Sequence, residues 1–171
     1  MSRIAQFGLQ TLEAISCLIT ANHYMQALVV LYSAIDTLAW STRRSGDVTR
    51  GDFCRWVTQY MQPEATLGCT PNDLYGARCA LLHSGSAESK MSREGAATQI
   101  WYATAKKSVP MLQVAIAKKG VQARVVCTTD LIEIFSEGVM KFSQDLEGDP
   151  TKQQEVADRI RRWLDFVRPR R

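Results

Sequence analysis

The feature that most constrains this chain is a charged residue in the middle of the apolar side of a short predicted helix. Thr70 and Asp73 have the spacing of a capping box, and Gly85 is a natural stop. The neighbours of Arg78 within about 60° on a helical wheel are Leu74, Tyr75, Leu81 and Leu82. An arginine surrounded in this way needs an anionic partner or a cleft, and we expect Arg78 to have one.

An anionic partner for Arg78 is expected on the second predicted helix. Asp36 also has apolar neighbours, which within about 60° on the wheel are Val29, Tyr32, Ala39 and Trp40. A buried carboxylate and guanidinium are costly singly but tolerated as a hydrogen-bonded pair, which would fix the orientation of Arg78. The alternative is that Asp36 faces solvent through a gap in the packing.

A histidine near the end of the Arg78 helix is the second candidate for chemistry. In an ideal helix, His83 lies about 140° around the axis from Arg78 and about 7.5 Å along it. A long arginine side chain and a frayed last turn would bring both head groups to one groove, where they would face a common ligand. The alternative is an arginine in a structural ion pair beside an unrelated surface histidine.

Three further helices are predicted ahead of the Arg78 helix, over residues 4–19, 22–40 and about 49–63. Asn22 is the expected cap of the second helix, and Pro63 limits the third. The segment from Ser84 to Gly95 is rich in serine, glycine and charge, so we expect a loop there.

Beyond this loop the pattern changes. A strand, a helix, a strand and two closing helices are expected over residues 99–105, 109–119, 123–128, 129–148 and 151–168. Because Leu112, Val114 and Ile116 also alternate, a hairpin-like arrangement stays open. Thr129 is the expected cap of the first closing helix.

Together these elements predict a mainly α fold in a single domain, residues 1–171. Its parts are a helical core, a strand-containing elaboration that a two-stranded β element would satisfy, and C-terminal helices, over residues 4–88, 98–128 and 129–168. With 46% apolar residues, the composition is that of an ordinary soluble protein with material for a core.

Basic side chains elsewhere suggest a phosphate-bearing partner. The formal net charge is only +4, yet six arginines fall in the last thirteen residues: Arg159, Arg161, Arg162, Arg168, Arg170 and Arg171. The alternative for this run is a solvated, frayed tail. Further phosphate contacts are expected from Arg43, Arg44 and Arg50.

The five cysteines favour neither a zinc site nor a disulfide framework, because they form no Cys-x-x-Cys pair and have no matching histidine spacing. The N-terminus lacks the features of a signal peptide, and no apolar run approaches the roughly 18 residues that cross a bilayer. We therefore expect no membrane association and a cytoplasmic location.

A pair of long helices, a third helix, and then Tyr-Gly-Ala-Arg-Cys-Ala-Leu-Leu-His-Ser-Gly resembles the HEPN superfamily, whose signature is an Arg and a His separated by four to six residues. Four residues separate Arg78 from His83, and the resemblance covers roughly residues 4–88. It implies a HEPN-like helical bundle and a metal-independent endoribonuclease without a cofactor, as in toxin–antitoxin, phage-defence and CRISPR-associated systems. It also implies RNA as substrate, a homodimer with two motifs in one cleft, and an antitoxin or inhibitor protein.

Under this resemblance, His83 acts as general base or acid around the ribose 2′-hydroxyl and the leaving oxygen, while Arg78 stabilises charge on the scissile phosphate. We expect Asp36, Tyr75 and Cys79 to orient the pair; the family often has Asn, Asp or His where this chain has Cys79. The residues expected to contact RNA are Arg43, Arg44 and Arg50. The alternative function is a non-catalytic RNA-binding or protein-interaction module on the same scaffold.

Overall fold

The computed structural model describes residues 2–43 and 46–167, with side chains as far as Arg162. These residues form nine α-helices and two β-strands, so the predicted mainly α fold with a small strand element is confirmed. The helices are α1 (Arg3–Thr20), α2 (Tyr24–Ser41), α3 (Arg50–Trp56), α4 (Pro63–Leu67), α5 (Pro71–Ser84), α6 (Lys90–Arg93), α7 (Val109–Lys118), α8 (Thr128–Glu147) and α9 (Pro150–Val167). The strands are β1 (Gln99–Ala103) and β2 (Ala123–Cys127). None of the helices in the described ranges is long and apolar enough to cross a bilayer.

Helices α1 and α2 form an α-hairpin, and the turn between them differs from the prediction. Asn22 has a φ of 61°, in the left-handed region, and α2 begins two residues later with no side-chain cap. The prediction that Asn22 caps α2 is therefore wrong. Asparagine tolerates left-handed backbone better than most residues, which explains its presence in this turn.

The third helix has the predicted start and stop. Thr49 and Asp52 form a complete capping box at the start of α3, which continues as a π-helical segment over Val57–Met61. Gln62 then adopts a φ of 49° and ends the helix. Pro63 occupies the first turn of α4, a five-residue helix that was not predicted because it is too short to have a helical period.

Helix α5, which carries Arg78 and His83, is fixed at both ends as predicted. Thr70 Oγ1 accepts a hydrogen bond from the Asp73 N–H at 3.1 Å, and Asp73 Oδ2 accepts one from the Thr70 N–H at 2.8 Å. Gly85 terminates the helix with a φ of 59°. Asp73 Oδ1 also accepts from the Thr98 N–H at 2.6 Å, so the start of α5 is tied to the residue before β1.

Part of the segment predicted as a loop is helical. Ser89 and Ser92 form a capping box at the start of α6, with the Ser92 N–H donating to Ser89 Oγ at 3.2 Å. The expected loop over Ser84–Gly95 is therefore wrong at Lys90–Arg93. The cause is local side-chain hydrogen bonding, which leaves no apolar periodicity in the sequence.

The two strands are parallel, with α7 as the crossover between them. Their register runs from Gln99 opposite Ala123 to Ala103 opposite Cys127. Parallel strands need such a crossover, so the hairpin-like alternative is wrong. Within α7 only Ile116 is buried, whereas Val114 is 56% exposed, so the alternation in this segment has no structural role.

The closing helices complete the core. Helix α8 begins at Thr128, whose hydroxyl donates to the Ala103 carbonyl at 3.1 Å, so the expected cap at Thr129 is wrong. Phe135 and Phe142 are fully buried, and they join buried residues from α1 to α9 in one connected apolar cluster. The sequence of these two helices also predicts that Phe135, Phe142 and Trp163 lie on the apolar stripes that face the core; the Trp163 side chain lies outside the described side chains.

Candidate functional site

Arg78 and Asp36 form an ion pair between α5 and α2. Arg78 Nε donates a hydrogen bond to Asp36 Oδ2 at 2.8 Å, and Arg78 Nη2 lies 2.7 Å from the same oxygen. The side chains of Arg78 and Asp36 are 19% and 16% exposed, so the pair is mostly buried but reaches solvent at one edge. The predicted pairing is therefore present, and Asp36 does not turn away to solvent.

The ion pair changes the protonation of both groups. Burial raises the pKa of the Asp36 carboxyl, and the hydrogen bond and charge of Arg78 offset only part of this effect. Burial of the guanidinium acts to lower the pKa of Arg78, but the hydrogen bond and charge of Asp36 outweigh it, so the pKa is raised. Loss of water dominates for the carboxyl and gain of a partner dominates for the guanidinium. Arg78 consequently stays a cation while Asp36 takes up a proton more readily than an exposed aspartate.

The remaining nitrogen of the guanidinium faces His83. Arg78 Nη1 lies 3.3 Å from His83 Nε2. A guanidinium only donates hydrogen bonds, so Nε2 is the atom that would accept one from Arg78. His83 itself is exposed at the last turn of α5. The structure thus places a fixed cation and an imidazole at one open position.

Two more of the predicted orienting residues lie beside the guanidinium. Arg78 Nη1 is 3.9 Å from Cys79 Sγ, and Arg78 Cζ is 5.9 Å from the centre of the Tyr75 ring. Burial, and after it the neighbouring Cys79, raises the pKa of Tyr75, so its phenol remains neutral. Tyr75 also packs edge-on against Phe53 with ring centres 5.3 Å apart, which fixes it against α3.

Arg50 is bound to the first turn of α5 by Asn72, a residue that was not predicted from the sequence. Arg50 Nε donates to Asn72 Oδ1 at 3.1 Å, and Cys54 Sγ donates to the same oxygen at 3.5 Å. Asn72 shares one face of α5 with Tyr75, Cys79 and His83, because the four positions follow at intervals of three, four and four. We call these four residues the α5 polar face. This spacing in the sequence places Asn72 on the same face, whereas its contact with Arg50 depends on how α3 packs on α5.

The other predicted phosphate contacts are not joined to this face by any described interaction. The Arg43 carbonyl accepts a hydrogen bond from Arg159 Nη1, which also donates to the Ser41 carbonyl at 2.8 Å. Arg159 of α9 therefore binds the last carbonyl of α2 and the Arg43 carbonyl just beyond the helix, so it is not a free tail residue. Arg43 Nε is buried and has no hydrogen-bond partner within the described part of the chain. Arg44 lies outside the described residues.

A cavity beside the end of α5 is separate from this arrangement. It has a volume of about 360 Å³, and its wall includes Leu28 of α2, Leu81 and Gly85 at the end of α5, and Ile100 of β1. On the α5 wheel, Leu81 and Gly85 each lie about 160° from His83. The cavity consequently opens on the side of α5 opposite the imidazole.

The chemistry available at this site is that of a cation beside a proton acceptor. Among the described residues, no group of three or more His, Cys, Asp and Glu side chains is arranged to hold a metal ion.

Comparison of the chain with models of known families, with curated proteins and with solved structures found no match.

Proposed function

We propose that this chain is a metal-independent endoribonuclease of the HEPN type, acting as a toxin or phage-defence effector. The observation that supports the proposal is the 3.3 Å contact between Arg78 Nη1 and His83 Nε2, on a helix whose end is open to solvent. An RNA phosphodiester carries its own nucleophile, the adjacent 2′-hydroxyl. One proton acceptor and one fixed cation are therefore enough for a minimal cleavage site.

The steps follow from the contacts of the two side chains. An entering phosphate oxygen accepts the Nη1 hydrogens of Arg78, because a charge-assisted bond to phosphate is stronger than one to a neutral imidazole. His83 Nε2 is then free to take the proton of the 2′-hydroxyl, whose oxygen attacks the phosphorus. The bond from phosphorus to the 5′ oxygen breaks, and this oxygen takes up a proton from solvent water, to which His83 returns the proton that it removed. The products carry a 2′,3′-cyclic phosphate and a 5′-hydroxyl.

Asp36 acts in this scheme as a positioning residue. It occupies the Nε and Nη2 edge of Arg78, which leaves Nη1 directed at His83. Such an anchored guanidinium needs little reorganisation when charge develops on the phosphate. At the other end of the α5 polar face, Arg50 lies about 9 Å along the helix from Arg78, at the level of Asn72, where it supplies a second phosphate contact.

A second copy of the chain is expected to complete the site. The face of α2 that carries Asp36 also carries Met25, Val29 and Trp40, all within about 40° of it on the wheel. Met25 is 48% exposed, and Val29 and Trp40 are only partly buried. Covering this apolar surface with the same surface of a second copy would give a two-fold interface beside two Arg78–His83 pairs. The His83 of the second copy would then be near the leaving oxygen.

RNA cleavage in the presence of a chelator tests the proposal. Mixed cellular RNA is incubated with the parent protein and with Arg78→Ala, His83→Ala and two control variants, and the fragment ends are analysed for 2′,3′-cyclic phosphate. The controls are His23→Ala, at the other histidine of the chain, and Arg55→Ala, whose side chain is 69% exposed. We expect a loss of at least about 10²-fold in rate for the first two variants and parental rates for the controls.

Thermal melts of the same variants decide how a loss of cleavage is interpreted. His83 is exposed, so its removal should leave the melting temperature nearly unchanged. Cleavage by His83→Ala at the parental rate would contradict the assigned role. Cleavage that requires added divalent metal would contradict the proposal as a whole.

A non-catalytic RNA-binding module is the second candidate. The observation in its favour is that Asp36 and His83 already occupy three nitrogens of Arg78, as in a purely structural cluster. This candidate predicts that RNA is retained on the protein in a salt-dependent way without fragments appearing.

A further inference from the structure

Helix α7 presents a surface that the proposed nuclease does not use. Residues 95–129 contain no acidic side chain and five basic ones: Lys106, Lys107, Lys118, Lys119 and Arg124. On α7 itself, Met111 is 73% exposed and Val114 is 56% exposed. Two of the five large exposed hydrophobic residues in the described part of the chain therefore lie one turn apart on this ten-residue helix.

Along the outer side of α7, two exposed apolar residues lie between two lysines. Lys107, in the 3₁₀ turn Lys106–Ser108 that leads into α7, is followed by Met111, Val114 and Lys118 of the helix at intervals of four, three and four. These four residues lie along one side, which we call the α7 outer face. The opposite side of the helix, at Ile116, is buried. The stripe thus has two exposed apolar side chains at its centre and an exposed lysine at each end.

The helix is held firmly enough to present this stripe. Lys106 Nζ is 2.9 Å from Asp130 Oδ1 of α8, which fixes the segment before α7. Lys119 Nζ lies 5.5 Å from the centre of the Trp101 ring of β1, which fixes the segment after it. The other two lysines, Lys107 and Lys118, are exposed to solvent.

We propose that the α7 outer face docks an acidic protein partner, through an amphipathic helix with apolar residues at its centre and carboxylates at both ends. Exposed methionine and valine supply the apolar centre of such an interface, and lysines supply the charged rim. Proteins commonly bind a partner's amphipathic helix, whose anchoring side chains follow at intervals of three and four residues. The proposal does not rest on the nuclease activity, because no residue of α7 belongs to the Arg78 site.

The charges of this region argue against other occupants. A second copy would bring Lys107 and Lys118 against lysines in either orientation, and residues 95–129 hold no carboxylate to offset them. An RNA backbone would meet two apolar side chains between lysines about 16 Å apart, and would bury methionine and valine against phosphates. A membrane surface favours wider apolar faces with aromatic residues, which this stripe lacks.

A pair of synthetic peptides tests the proposal. The first forms a helix with leucines at central contact positions and glutamates at both ends; the second has the same composition in an order without a helical period. Binding to the parent protein is measured by fluorescence anisotropy. We expect the amphipathic peptide to bind at least about tenfold more tightly than the scrambled one.

Variants identify the surface and its charges. Met111→Glu with Val114→Glu should weaken the amphipathic peptide at least about tenfold, whereas Leu9→Glu, at an exposed apolar residue of α1, should leave binding unchanged. Lys107→Glu with Lys118→Glu should lose the acidic peptide and gain a peptide whose end residues are lysines.

Four outcomes would overturn the proposal. These are absent binding of the amphipathic peptide, equal binding of the scrambled peptide, self-association of the parent that Met111→Glu abolishes, and preferential capture of polyuridylate or of phosphatidylserine vesicles through Met111 and Val114. Circular dichroism melts of each variant establish that a loss of binding is not a loss of fold.

Discussion

At the scale of single residues, the two edges of one guanidinium have separate tasks. Arg78 uses Nε and Nη2 to hold Asp36, and it uses Nη1 to meet His83. Lysine has a single ammonium group and cannot make both contacts in a fixed geometry. The candidate site therefore depends on an arginine at this position and on a carboxylate that orients it.

The rate of RNA cleavage at acidic pH should depend on the protonation of Asp36. Burial raises its pKa, so Asp36 becomes neutral at a higher pH than the ordinary value of about 3.9, and Arg78 then loses its charged anchor. We expect the parental rate of RNA cleavage to fall as the pH drops through this raised value. At neutral pH, Asp36→Asn should be slower by roughly 10²-fold, and its difference from the parent should shrink as the pH drops through the raised pKa of Asp36.

Protonation of Asp36 should slow cleavage but increase the free energy of unfolding. Because the pKa of Asp36 is raised by folding, the folded state takes up the proton first, so this group's contribution to the free energy of unfolding increases as pH falls through the raised value. Urea unfolding of the parent and of Asp36→Asn separates this effect. A parental rate that falls only where the parent unfolds would contradict the assigned role of Asp36.

At the scale of elements, the sequence predicted what local patterns determine. The capping box at Thr70 and the stop at Gly85 set the limits of α5, and the apolar arcs around Arg78 and Asp36 predicted that these two residues would meet. The contact between Arg78 and His83 was only one of two predicted alternatives, because the two residues point in different directions on an ideal helix. They meet because the arginine side chain is long enough to reach the imidazole.

Other features depend on contacts that no local pattern contains. Parallel pairing of β1 and β2 was left open, because the sequence of α7 also alternates and strand direction depends on where the helix packs. Helix α6 depends on two serine side chains, and the use of Arg159 depends on α9 reaching the end of α2. Arg50 was predicted, but its partner Asn72 follows from the packing of α3 on α5.

The contact between α1 and α8 requires a glycine, and this can be tested by stability. A Cβ on Gly8 would lie 2.4 Å from Cγ1 of Val139, a branched side chain with little rotamer freedom in a helix. Gly8→Ala should therefore destabilise the protein by roughly 1 kcal/mol, as the cost of overpacking exceeds the gain in helix propensity. Urea unfolding measures the change.

A second substitution provides the control for Gly8. In a Val139→Ala background the obstructing methyl groups are absent, so Gly8→Ala should become neutral or stabilising. If Gly8→Ala stabilises the protein while Val139 is present, the close approach of α1 and α8 is contradicted.

At the scale of the whole molecule, the candidate site lies at an edge of the helical core. Asp36 and Arg78 reach solvent between α2 and α5, and the partly buried Val29 and Trp40 share the Asp36 side of α2. The α7 outer face lies on a separate element that contributes nothing to this site. The Arg78 site and the α7 outer face are therefore separate surfaces of the fold.

Self-association should depend on the α2 face. Met25→Glu adds a charge to a surface that we expect a second copy to cover, and it should weaken dimerisation by at least about tenfold in sedimentation equilibrium. RNA cleavage at low protein concentration should fall in parallel. Met140→Glu, at a residue of α8 that is 55% exposed, is the matched control and should change neither property. A Met25→Glu protein that associates as tightly as the parent would contradict this interface.

We propose that Arg78 and His83 act on a phosphate whose neighbouring 2′-hydroxyl is the nucleophile. Cleavage of an RNA oligonucleotide by excess protein, in chelator, is compared with that of the same strand carrying one 2′-deoxynucleotide at the cut site. We predict that this one bond is no longer cut while other sites remain, and that His83→Ala cuts neither strand. Cleavage of the deoxy bond at the parental rate would contradict the claim.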